Sequence, residues 1–180
     1  MWPDAPIYTS LYRPDSTFPE FRGRGVRTTP LDRLPVDRGF RNLFPLYPAA
    51  FRALGELEAD VVIASSSGWA HMARAASRAF HAVYCHTPAR WLYGRDHLGS
   101  PRSTSPRHAL IGPVAGSFRR VDRRAAARAD LYIANSREVQ RRIRDAYGID
   151  ATVIYPPVDT ERFRPQPRGE RLLVISRLLP

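Results

Sequence analysis

No lysine occurs anywhere in the 180 residues; all 28 basic side chains are arginine. Alongside abundant alanine and proline, this bias points to a GC-rich coding sequence rather than to selection for guanidinium chemistry. A single cysteine, Cys85, excludes an intrachain disulfide and carries no sign of an oxidising compartment. No apolar run approaches the roughly 18 residues that a membrane span needs. The start, "MWPDAPIYTS", has neither the basic nor the apolar region of a secretory signal, which sets a cytoplasmic location as the expectation. There is no internal repeat.

What is present is ordinary for one folded domain: 43% hydrophobic and 25% charged residues in a chain long enough to bury a core. The net charge of +11 suits a phosphate-bearing partner, whether nucleic acid, an anionic membrane or a phosphorylated substrate. Helix-turn-helix, zinc-finger and RNA-recognition signatures are missing, and the arginines are dispersed rather than grouped around aromatics. No nucleic-acid partner is therefore expected.

The first 50 residues are rich in proline, arginine and turn signals, with short strands expected at "IYTSLY" and near Val26 to Thr29. "YPAAFRALGELEAD" has Ala50, Leu54 and Leu57 at helical spacing, with Pro48 near the start. The pattern then becomes regular. Strands are expected at Asp60 to Ser65, "HAVYC", "LYIAN", "TVIY" and Arg171 to Ser176. Helices are expected at "GWAHMARAASRAF", "SFRRVDRRAAARAD" and "REVQRRIRDAY". The last has Ser136 as N-cap, a Val139, Ile143 and Tyr147 stripe, and Gly148 as terminator. Gly94 to Pro113 reads as a long loop with at most a short helix. Alternating strands and helices predict an α/β fold: a Rossmann-like, mostly parallel sheet with helices on both faces. The strand at Arg171 to Ser176 follows a proline-rich connector and has no helix after it, as if it opened a second domain.

Few residues offer chemistry. Cys85 and His86 are neighbours on a strand, so their side chains point to opposite faces and cannot readily form a catalytic pair. His71, His81, His86, His97 and His108 show no metal-ligand spacing. "ASSSGWAH" is not a nucleophile elbow. Its Ser66, Ser67 and Gly68 would open the expected helix, where free N–H groups suit a phosphate or oxyanion, or else simply cap it. His86 falls at the carboxyl end of the "HAVYC" strand, where open α/β sheets take ligands. It is either a substrate-site residue or a loop histidine satisfied locally.

Five stretches, in order, resemble family 4 glycosyltransferases: "VVIASSSGWAHMA", "VYCHTPARWLYG", "RRVDRRAAARADLYIANSREVQRRIRDAYG", "TVIYPPVDTERFRP" and "LLVISRLLP". The nearest likeness is to mannosyltransferase-like bacterial members, and it is loose before about Phe40. The resemblance implies half of a GT-B enzyme, whose two Rossmann-like domains enclose the active site. It implies hexosyl transfer with retention from a nucleotide-sugar co-substrate, GDP-mannose by the nearest likeness, with no other cofactor and no metal. A saccharide or a lipid-phosphate-linked acceptor would receive the sugar, with the arginines facing solvent or an anionic inner membrane surface. His86 would lie beside the transferred sugar. Arg177 would contact the donor diphosphate through its planar fork of donors, and Pro156 to Asp159 would form the interdomain hinge.

The domains so implied are an incomplete acceptor-side domain at 1–155, a linker at 156–170, and the first donor-side strand at 171–180. The family's first strand and glycine-rich loop have no counterpart here. Nor do the lysine after Arg177 and the two-glutamate donor motif. The 180 residues alone are expected to show no turnover. A non-catalytic acceptor-binding domain would carry the same motifs.

Overall fold

The computed structural model describes residues 2–35, 43, 45–93, 106–162, 164 and 169; the side chains of 106–113 are outside it. Arg177, the strand expected at Arg171 to Ser176, and most of the 156–170 connector's second half lie outside the described residues.

The chain opens with a parallel strand pair, β1 (Ile7–Thr9) against β2 (Val26–Thr28). Helix α1 (Tyr47–Arg52) follows, then β3 (Glu56–Leu57), β4 (Val61–Ser66), β5 (Arg74–Ala75), β6 (Phe80–Cys85), α2 (Arg90–Tyr93), α3 (Pro106–Ala126), β7 (Leu131–Ala134), α4 (Arg137–Tyr147) and β8 (Thr152–Val153). The central sheet has the order β4-β6-β7-β8, and all its strand pairs are parallel. The Rossmann-like α/β class read from the alternating pattern is the class observed.

Register determines what each face carries. Side chains in register on parallel strands share a face, so Ala64, Val83, Cys85, Tyr132 and Ala134 point to one side. There they pack with Ala126 of α3 and with Val139 and Ile143 of α4. The opposite side carries Val61, Ile63, Phe80 and, just past β8, Ile154, each about half exposed (54%, 54%, 47% and 52%). Among the described residues α3 and α4 pack against the first of these faces.

Helix α4 is bounded as its sequence dictates. The Ser136 hydroxyl accepts a hydrogen bond from the Val139 N–H at 3.2 Å. Gly148 adopts φ +71°, and its N–H closes on the Arg144 carbonyl.

Three expected elements differ. The "GWAHMARAASRAF" helix does not form: a 3-10 turn at Ala70–Met72 gives way to strand β5, which pairs with β3. Alanine-rich sequence favours a helix, but core demand wins. This path buries His71, Met72, Ala73, Ala76 and Ala79 and pairs Arg74 with Glu56. The helix expected over "YPAAFRALGELEAD" stops at Arg52, and Gly55, at φ +77°, turns the chain into β3. Helix α3 starts at Pro106, inside the stretch read as loop, and its backbone runs helically through Gly112 and Pro113. A proline there loses one ladder bond but does not end the helix.

Candidate functional site

The carboxyl ends of β4 and β6 lie side by side, with Ser65 in register with Tyr84 and Ser66 with Cys85. One residue further, His86 donates its backbone N–H to the Ser66 carbonyl at 2.8 Å, so the ladder continues past the assigned strand end. Its imidazole is exposed on the open face, as alternation from buried Cys85 requires. The Ser65 hydroxyl sits 2.9 Å from His86 Nε2. The Tyr84 ring meets the imidazole edge-on at 5.2 Å between centroids, and the Tyr84 hydroxyl donates to the Ile154 carbonyl. Three residues from two strands thus fix one imidazole at the strand ends. The pairing of Ser65 with His86 depends on the β4/β6 register, which no local signal in either segment carries.

Ser66 faces the other way. It is buried, its Oγ lies 3.4 Å from His71 Nδ1, and it accepts the Gly68 N–H at 3.3 Å. Ser67 is exposed and Gly68 half-buried. With no helix behind them, these residues do not present the row of free N–H groups that a helix start would supply.

Below the sheet lies a second polar group. His71 Nε2 is 3.0 Å from Asp122 Oδ1, at ion-pair distance though without hydrogen-bond alignment, and both side chains are almost fully enclosed. Burial pushes the hydroxyls of Tyr93, Tyr132 and Tyr147 well above the ordinary tyrosine range, and the nearby Asp122 carboxylate adds to each shift. His71, Asp122 and Tyr132 are buried at its centre, while Tyr93 and Tyr147 are half-buried at its edge.

Cys85 belongs to the same interior. Burial pushes its thiol up to about 12, leaving essentially no thiolate at neutral pH. Ellman's reagent is expected to leave the native protein unlabelled and to titrate one thiol after denaturation. Rapid labelling of the native chain would contradict the burial of this strand.

His81 is also buried, which lowers its pKa, and its backbone N–H donates to Asp130 Oδ2 at 2.7 Å. His97 and the His108 side chain lie outside the described residues. Among the described residues, no group of three or more His, Cys, Asp or Glu side chains converges to hold a metal. Among the described residues, three α3 arginines make hydrogen bonds: Arg119 to the Leu92 carbonyl, Arg123 to the Ala146 carbonyl and Arg120 to Ser117 Oγ; Arg120, Arg123, Arg124 and, just past the helix, Arg128 are exposed. No described helix is long and apolar enough to cross a membrane.

Open parallel α/β sheets take ligands outside the carboxyl ends of their strands, which is where His86 stands exposed. The model of Glycosyltransferase Family 4 matches residues 7–162, and the chain belongs to that family. It carries a glycosyl-transfer domain. No curated protein and no solved structure matches the chain.

Proposed function

We propose that this chain is the acceptor-side half of a retaining hexosyltransferase of the GT-B type, with His86 at the transferred sugar. The observation that carries the reading is the tethered, solvent-facing imidazole at the carboxyl end of β6, in a chain that belongs to family 4. A neutral imidazole there can hydrogen-bond a sugar hydroxyl and stabilise the negative charge that develops on the departing phosphate oxygen. Retention makes a simple deprotonating role for it unnecessary.

The donor is a nucleotide-sugar, with mannose from GDP-mannose the first to try. Arg177 supplies a guanidinium for the diphosphate, and a donor-binding half completes the cleft. Of Ser66 and Ser67, Ser67 is the one whose side chain is open to a ligand beside His86's partner Ser65. The acceptor is a saccharide or a lipid-phosphate-linked saccharide, and exposed Arg120, Arg124 and Arg128 suit work at an anionic inner membrane face.

The test is complementation: the chain combined with a separately expressed family donor-binding half, supplied with GDP-mannose or other nucleotide-hexoses and with candidate acceptors. Transfer giving a product of the donor's own anomeric configuration is the expected result. No transfer from any donor, or an inverted product, overturns the reading.

A further inference from the structure

We infer that Ser65 is a positioning residue for His86, and that its hydroxyl donates to Nε2 so that the neutral ring carries its proton on Nδ1 and meets the substrate through that N–H. The inference deepens the hexosyltransferase reading and rests on it for its catalytic consequence.

A neutral imidazole has one donor nitrogen and one acceptor nitrogen, and the bond made by one decides the state of the other. Here Nε2 lies 2.9 Å from Ser65 Oγ, a distance that either group can bridge as donor; with the hydroxyl as donor, as inferred, the proton rests on Nδ1, which has no protein partner among the described residues. The hydroxyl in turn has the imidazole as its one partner among them. Tyr84 packs its ring edge-on to the imidazole, and its own hydroxyl is anchored on the Ile154 carbonyl at 3.1 Å, which restricts rotation of the histidine about its Cβ. The backbone is pinned as well, through the His86 N–H to the Ser66 carbonyl.

A ring held in this way offers a fixed donor to solvent, and the groups that a donor recognises are oxygen lone pairs. A sugar hydroxyl or a phosphate oxygen of a nucleotide-sugar supplies them; a cation does not. In the tautomer that a free imidazole prefers, with the proton on Nε2, the same ring would present an acceptor at Nδ1 and could not serve developing negative charge. Ser65 thus does for His86 what outer hydrogen-bond partners do for metal-bound histidines: it fixes the ring's orientation and its proton.

The experiment combines spectroscopy on the chain itself with kinetics on the complemented enzyme. In 15N-histidine-labelled chain at a pH where His86 is neutral, its two nitrogen shifts report the tautomer. Wild type is expected to populate mainly the Nδ1–H form, Ser65→Ala to revert toward Nε2–H, and Ser65→Thr to keep the wild-type distribution. Kinetically, Ser65→Ala is expected to lower kcat about tenfold with little change in KM, and Ser65→Thr to restore it. His86→Asn, whose amide nitrogen can occupy the Nδ1 position, is expected to retain more turnover than His86→Gln, whose amide reaches toward Nε2. An unchanged tautomer distribution in Ser65→Ala overturns the assignment, as does His86→Gln outperforming His86→Asn. Absence of transfer in every form, wild type included, would instead strike at the hexosyltransferase reading, and the nitrogen shifts would still decide the role of Ser65.

Discussion

Asp122→Ala is expected to lower the unfolding free energy by about 1–3 kcal/mol, the usual cost of leaving a buried polar partner unsatisfied. Asp122 is fully enclosed on α3, and His71, on the 3-10 turn between β4 and β5, is almost equally so. The pair joins the crossover after β4 to the long helix. Without the carboxylate, His71 keeps only a long contact to Ser66 Oγ, and a polar ring is left in an apolar interior. The change is a substantial part of the ~5–15 kcal/mol that typically separates folded from unfolded states. Asp122→Asn, which preserves the shape and a hydrogen-bonding group, should cost less than the alanine change.

Urea unfolding followed by tryptophan emission reads this directly. Trp69 and Trp91 pack at 5.0 Å between ring centroids, and Phe118 of the same helix as Asp122 lies 6.1 Å from Trp69. A shift in Asp122→Ala equivalent to less than about 1 kcal/mol would mean that the pair contributes little. Replacing both residues together by leucine should recover much of the loss, because the penalty lies in the stranded partner rather than in the missing attraction.

The second large effect is on turnover. His86→Ala is expected to reduce transfer by the complemented enzyme by about 10²–10³-fold, the range seen when one transition-state hydrogen-bond donor is deleted. The side chain is exposed, so the same substitution should leave the unfolding free energy within about 0.5 kcal/mol of wild type. That contrast separates a residue that serves the reaction from one that serves the fold. Full activity in His86→Ala would remove His86 from the site. A large loss of stability alongside the loss of turnover would assign it to the scaffold.

How far the sequence alone reaches can be judged element by element. Helix α4 is legible at both ends because its stops are local chemistry, a serine hydroxyl at one and a left-handed glycine at the other. The strands β4, β6 and β7 are legible as short apolar runs, and the opposite orientations of Cys85 and His86 follow from the strand repeat alone. The segment from Gly68 to Phe80 is not legible, because its alanines favour a helix while the burial of His71 and Met72 requires a turn and a strand. The start of α3 is masked by the glycine and proline within it. The two pairings that matter most, Ser65 with His86 and His71 with Asp122, join residues far apart in the chain. The first depends on register and the second on packing, and neither leaves a signature in the segments that supply it.

The bare apolar side of the sheet gives His86 a second property. From Val61 and Ile63 toward Ser65, and from Phe80 toward Tyr84, the strands carry hydrocarbon up to the rim where the imidazole stands. In open solvent, water at that rim screens the Ser65–His86 bond. Any body that settles on this surface displaces that water and lowers the local dielectric, so the same hydrogen bond grows stronger and the ring's dipole is felt at longer range.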